Sequence, residues 1–231
     1  AFVDDIDTDW QEEGLKSGSL SNVNIGFSGG GENTTYYASI DYFNNEGTLE
    51  GNGPSYERYA FKVNTDTRKG KFRFGQNVYV TRSEETSGLR VSGIPGANPP
   101  FINDLIWAAP TIPVEDPNRK GGYGGSSGAI ENSLSLNIVG LNHLVGNSRI
   151  TTRAIAGTYL EFDILKDLTY KLNLQYDYTQ EDNSLFVPEY DLGFFFPNGS
   201  AYLEKAMINH TSGLVENTLA YKKTLNKHNF D

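Results

Sequence analysis

Polar and apolar positions alternate along this chain in long runs, and the runs set the expected elements. Across residues 22–43, Val23, Ile25 and Phe27 alternate with Asn24, Gly26 and Ser28; then Tyr36, Ala38, Ile40 and Tyr42 alternate with Tyr37, Ser39 and Asp41. A period of two puts the two sets on opposite faces of a strand. Between the arms, Gly29, Gly30, Gly31, Glu32 and Asn33 tolerate positive φ and predict a tight reversal.

The pattern recurs. Tyr59, Phe61 and Val63 oppose Arg58, Lys62 and Asn64, and Phe72, Phe74, Gln76, Val78 and Val80 oppose Arg73, Gly75, Asn77 and Thr81. Periodicity lapses over 86–147, which holds most of the prolines and the GGYGGSSG run, and a connection that long is expected to fold locally. It resumes with Ile150, Thr152, Ala154, Ala156, Thr158, Leu160, Phe162 and Ile164 against Thr151, Arg153, Gly157, Tyr159, Glu161 and Asp163. Leu168, Tyr170, Leu172, Leu174, Tyr176 and Tyr178 then oppose Thr169, Lys171, Asn173, Gln175 and Asp177, and a less regular arm covers 214–222. Residues 1–20 read as a loop or short helix around Trp10 and Leu15.

Several arms outrun the ~5–6 residues usual in soluble sheets and reach the ~9–11 that a tilted strand needs to cross a bilayer. Short connections near 29–33, 66–70, 165–167 and 223–227 alternate with long ones near 44–55, 86–147 and 181–212. Short turns at one end and long loops at the other are the arrangement of outer-membrane barrels. Tyr36, Tyr42, Tyr59, Phe72, Tyr176 and Tyr178 fit aromatic girdles at the two interfaces. The expected fold class is all-β, an antiparallel transmembrane β-barrel. A soluble β-sandwich also alternates but accounts for neither strand length nor turn asymmetry.

Composition narrows the function. The net charge of −10 argues against a nucleic-acid partner, and the absence of cysteine removes disulfides and thiolate metal sites. No apolar run approaches the ~20 residues of a transmembrane helix, which leaves a barrel open. The chain starts without Met and closes on what reads as the opening of another strand, as expected of a piece of a longer protein. Asp5, Asp7 and Asp9 are spaced like the start of a calcium loop but lack its Gly and Glu, and they predict a solvated acidic loop. The glycine runs lack the Lys-Ser/Thr of a phosphate loop, and His143, His210 and His228 have no zinc spacing. Glu161, Asp163 and Asp177 are interspersed with Arg153 and Lys171, as in a charge-balanced wet wall, so no catalytic residue, cofactor or metal is expected. The candidate contacts for a ligand or partner are the loop aromatics Phe101, Trp107, Tyr123, Tyr190, Phe194, Phe195 and Phe196, whose alternative role is packing the loops together.

One set of words carries a family resemblance. These are Thr8-Asp9-Trp10-Gln11; Ser28-Gly29-Gly30 with Glu32; Thr34-Thr35-Tyr36-Tyr37-Ala38-Ser39; Tyr42-Phe43-Asn44; and Glu46-Gly47. Glu57-Arg58-Tyr59 with Asn64, the GTYLEFDILKDL run ending at Leu168, Glu216-Asn217-Thr218-Leu219 and Lys227-His228-Asn229-Phe230 follow in order. In these the chain resembles the SusC/RagA family of TonB-dependent outer-membrane transporters. The resemblance implies a 22-stranded barrel around an N-terminal plug, with residues 1–231 forming about strands two to eight and the start of the ninth. It implies import of glycan or peptide oligomers across the Gram-negative outer membrane, beneath a SusD-like lipoprotein lid. TonB would act through a plug region that is not in this chain, and membrane lipid and lipopolysaccharide would surround the wall. The alternative is a soluble or surface-attached β-rich glycan-binding module.

Overall fold

The computed structural model describes residues 6–86, 102–128, 136–225 and 228–230. Its main feature is one antiparallel sheet. β1 (Ser19–Gly30), β2 (Thr34–Glu46), β3 (Ser55–Lys69), β4 (Phe72–Thr86), β5 (Gly146–Leu165) and β6 (Leu168–Val187) pair in chain order. After the short pair β7 (Tyr190–Asp191) and β8 (Pro197–Asn198), β9 (Tyr202–Tyr221) joins β6, and β10 (Lys223–Leu225) pairs with β11 (His228–Phe230). The seven-stranded sheet is open, with β1 and β9 at its edges. Among the described residues three helices lie outside it: α1 (Trp10–Gly14), α2 (Ile102–Trp107) and α3 (Ile138–Leu144).

The expected asymmetry of the connections is present. Turns at 31–33, 70–71 and 166–167 gather at one end and connections at 47–54, 87–145 and 188–201 at the other. Gly70 turns β3 into β4 at φ 62°, in the left-handed region where a side chain would be strained. Two expectations need correction. The long loop expected over 181–212 shrinks to 188–201, because β6 and β9 each run for 20 residues. Residues 181–184 are polar on both faces, so the alternating signal breaks there while backbone pairing continues from Glu181↔Ile208 to Val187↔Tyr202. The turn expected at 223–227 is also narrower, since Lys223 already pairs with Phe230.

Directly opposed residues of an antiparallel pair share a face. One row across the sheet therefore reads Ile25, Ile40, Phe61, Val80, Ala154 and Tyr178, and the next reads Phe27, Ala38, Val63, Val78, Ala156 and Tyr176. These rows form an apolar band on one face, and most of its large side chains are exposed, Ile40 at 57% and Phe27 at 63%. Toward the short turns, Phe72 stacks on Phe162 at 4.7 Å. The centre of the band slides from Ile25 on β1 to Leu174 on β6, two rows nearer the short turns. With ~3.4 Å per residue and ~4.8 Å between strands, that slide corresponds to a strand tilt of roughly 30°, close to the ~35–45° of membrane barrels.

A charge on the band face should separate a membrane wall from a water-exposed sheet. Leu174→Arg should destabilise the full-length protein in lipid vesicles by about 2–4 kcal/mol, whereas Gln175→Arg on the opposite face should cost far less. Equal costs by denaturant titration would contradict a lipid-facing band.

Candidate functional site: a folded cap above a polar wall

The face opposite the band is lined by paired polar groups. Arg73 (2.9 Å) and Lys171 (3.1 Å) both reach Glu161, making one rung across β4, β5 and β6. Arg153 grips Asp177 through Nε at 3.1 Å and a second nitrogen at 2.5 Å, and Arg58 meets Asp41 at 2.9 Å. The Tyr159 hydroxyl donates to Asp66, while Lys171 Nζ sits 4.7 Å from the centre of the Tyr159 ring. Gly75 makes room for that ring: a Cβ there would lie 2.1 Å from Tyr159 Cε1. Pairs this exposed contribute little to stability, so their consequence is a hydrated, charge-balanced surface. Glu161 and Asp177 are engaged by cations and Asp163 accepts from Thr169 at 2.7 Å, unlike a free acid–base pair. No metal-binding cluster of acidic, His or Cys side chains occurs among the described residues.

At the long-loop end, segments far apart in sequence share one apolar core. Trp10, Leu105, Ile112, Leu136, Ile138, Val139, Leu141, Val145, Val187, Tyr190, Leu192 and Phe196 are its buried members. Val187, with Leu185 packed beside the core, has the parity of Asp177 on β6, so the cap attaches on the polar face of the sheet. The acidic segment anchors it. Asp9 caps α1 by accepting from the backbone N–H groups of Gln11 (3.0 Å) and Glu12 (3.1 Å), as an N-cap carboxylate does. Trp10 is buried and its Nε1 donates to the Ala109 carbonyl at 2.9 Å, and Thr8 Oγ1 donates to Ile112 at 2.7 Å.

Asparagines replace secondary structure where these segments meet. Asn137 caps α3 by accepting from Gly140 N–H at 2.9 Å, and its Nδ2 donates to the carbonyls of Val114 (2.8 Å) and Gly124 (3.0 Å). Asn142 Nδ2 donates to Glu50 (2.5 Å) and Gly53 (2.9 Å), fastening α3 to the β2–β3 connection. Both side chains are buried, where unpaired amides would be costly. Sequence reasoning missed both; Asn137 before the apolar run of α3 is a readable cap signal, whereas Asn142 carries no local signal.

The candidate aromatics divide. Phe101 lies outside the described residues. Tyr190 and Phe196 are core members, and Tyr123 is half-buried with its ring stacked on His143 at 5.9 Å. Trp107, at the end of α2, is 70% exposed. Phe194 (67% exposed) and Phe195 (41%) sit edge to face on a turn held by the bond from Phe194 N–H to Ser126 O at 2.9 Å. Burial pushes the Asp104 carboxyl on α2 above its ordinary value, and the phenols of Tyr123 and Tyr190 are raised chiefly for the same reason.

No family model matches the chain. TonB-dependent receptor P3 of Formosa agariphila is 27% identical over 226 residues, covering 96% of this chain and 22% of that protein. TonB-dependent receptor P26 of the same organism is 22% identical over 218 residues, covering 94% and 20%. The chain thus spans about a fifth of the curated relatives' length. Among solved structures, a chain of the RagAB peptide importer aligns at 20% identity with TM-scores of 0.73 in its closed-closed state and 0.74 in its open-open state. Each alignment covers 96% of this chain and 24% of that one. The SusC/RagA-like resemblance and the all-β, antiparallel fold are both borne out.

Two outcomes test the cap. Trp10→Ala should cost about 3–5 kcal/mol of local stability, read as faster hydrogen exchange in 8–15 and 105–112 with the sheet still protected; unchanged exchange there would refute the anchor. For Asp104, the folded state binds the proton more tightly than the unfolded chain, so cap stability falls as pH rises through the carboxylate range. Asp104→Asn should therefore match wild type in acid and exceed its cap protection at neutral pH; equal protection at both would contradict the raised value.

Proposed function

We propose that residues 1–231 are part of the wall of one outer-membrane β-barrel that imports an oligomeric nutrient, glycan or peptide, by TonB-dependent transport. The observation that carries this reading is one continuous sheet with an exposed apolar band on one face and paired charges on the other. Such a sheet suits lipid outside and water inside. The similarity to two TonB-dependent receptors over nearly the whole chain supports the transport class. The likeness to a chain of a solved peptide importer supports a wall position and favours peptide among the oligomers.

In this reading the chain has no catalytic role. Its short turns face the periplasm, and the cap stands at the external mouth on the lumenal side. Phe194, Phe195 and Trp107, exposed on the cap, would contact the oligomer or a SusD-like lipoprotein lid, with Tyr123 packed against the cap core and Tyr190 and Phe196 as its buried members. Phe101 is proposed for the same contact role from its place in the sequence alone. Energy coupling belongs to regions outside this chain.

Extraction of the full-length protein is the test. It should require detergent and migrate faster on a gel unheated than boiled, and Phe194→Ala with Phe195→Ala should lower oligomer uptake while preserving that heat-modifiable migration. Extraction into buffer without detergent would defeat the transporter reading and favour a soluble glycan-binding module.

A further inference from the structure

Charge divides unevenly along the chain. The segment before β1 and the three long connections, residues 1–18, 47–54, 87–145 and 188–201, hold thirteen Asp and Glu against four Lys and Arg. All other residues together hold sixteen against fifteen. Nine of the ten net negative charges therefore belong to the long-loop end, and the wall with its short turns is nearly neutral.

The described cations of that end are already engaged. Lys16 lies 4.0 Å from Glu50, Arg119 pairs with Asp191 at 3.1 Å and Asp116 at 3.4 Å, and Lys120 meets Glu189. Asp7, Glu12, Glu13 and Glu115 are exposed and form no ion pair among the described residues. The uncompensated charge is thus at the surface, and it is of one sign.

That charge adjoins the exposed aromatics. Asp104 and Trp107 stand three residues apart on α2, the spacing of neighbours on a helix surface. Asp7 and Asp9 border a cleft of about 340 Å³ together with Leu105 and Ala108, from the same helix and its end. Glu115 bridges to Tyr123 in the loop whose Ser126 carbonyl holds the Phe194 turn. An ammonium or guanidinium group is attracted both by carboxylates and by the face of an aromatic ring, and its alkyl stem lies well on apolar side chains. A uronate or sulfate group meets repulsion from the same surface.

We infer that the cap selects oligomers that carry positive charge, peptides with Lys and Arg side chains, and disfavours anionic oligomers such as uronate- or sulfate-bearing glycans. The inference rests on the import reading and names the substrate class of its aromatic contact surface. Exposed carboxylates act over about a Debye length, ~8 Å at physiological ionic strength, so the selection is sensitive to salt.

The test measures binding of two labelled octapeptides to the detergent-solubilised full-length protein, one with four Lys among Ala and Gly, the other with four Glu in their place. At low salt the Lys peptide should associate roughly tenfold faster or more, and the ratio should shrink toward unity in about 0.5 M salt. Asp7→Asn, Glu12→Gln, Glu13→Gln and Glu115→Gln combined should lower the ratio about threefold or more, with hydrogen exchange in 8–15 still protected. The single reversal Glu13→Lys should lower it in the same direction and decides the matter if the combined variant loses the cap. Glu32→Gln, in a short turn, should leave the ratio unchanged. Equal or faster association of the Glu peptide would overturn the inference, as would a ratio that survives in both cap variants. Calcium ions alone abolishing the preference, at a concentration too low to screen charge, would assign the carboxylates to a metal and also overturn it. Loss of the preference in a protein that still needs detergent counts against this inference alone, whereas extraction without detergent defeats the import reading.

Discussion

Every backbone amide in a membrane wall must find its partner in the protein, because hydrocarbon offers none. Long antiparallel ladders satisfy that constraint while leaving each side chain free to suit the medium it faces. In this chain the ladder is continuous from β1 to β9, and the side chains divide by parity into an apolar band and a rung system of charges. The glycine notch at Gly75, the rung at Glu161 and the tilt of the band all follow from that division.

The cap obeys the opposite logic. There the chain leaves the ladder, so its backbone groups need other partners, and Asp9, Asn137 and Asn142 supply them from side chains. Its core recruits Val187 from the polar side of β6, which ties the cap's position to strand register. A register slip of one residue would turn Val187 to the other face and detach the core.

The sheet was legible because period-two alternation is a local signal, strongest where one face is apolar. It faded at residues 181–184, which are polar on both faces, and that is why the loop expected there proved half strand. The wall chemistry was equally legible: the carboxylates Glu161 and Asp177 do meet Lys171 and Arg153. The cap was visible only as a long segment expected to fold. The partners of Trp10 are nearly a hundred residues away, and no spacing rule reports such contacts. For the same reason exposure divided the loop aromatics in a way sequence could not, burying Tyr190 and Phe196 while leaving Phe194 out.

The division of faces can be measured directly on β6. This chain contains no cysteine, and in full-length protein with any cysteine elsewhere replaced by serine, single cysteines at successive positions from 168 to 187 can each carry a spin label after reconstitution in lipid. Relaxation by oxygen, which partitions into hydrocarbon, should peak at Leu172, Leu174 and Tyr176, and relaxation by a water-soluble nickel chelate at Lys171, Asn173 and Gln175. The oxygen peaks should vanish beyond Gln180, where the strand leaves the bilayer. Equal access of the water-soluble agent to both faces across residues 170–178 would contradict the account.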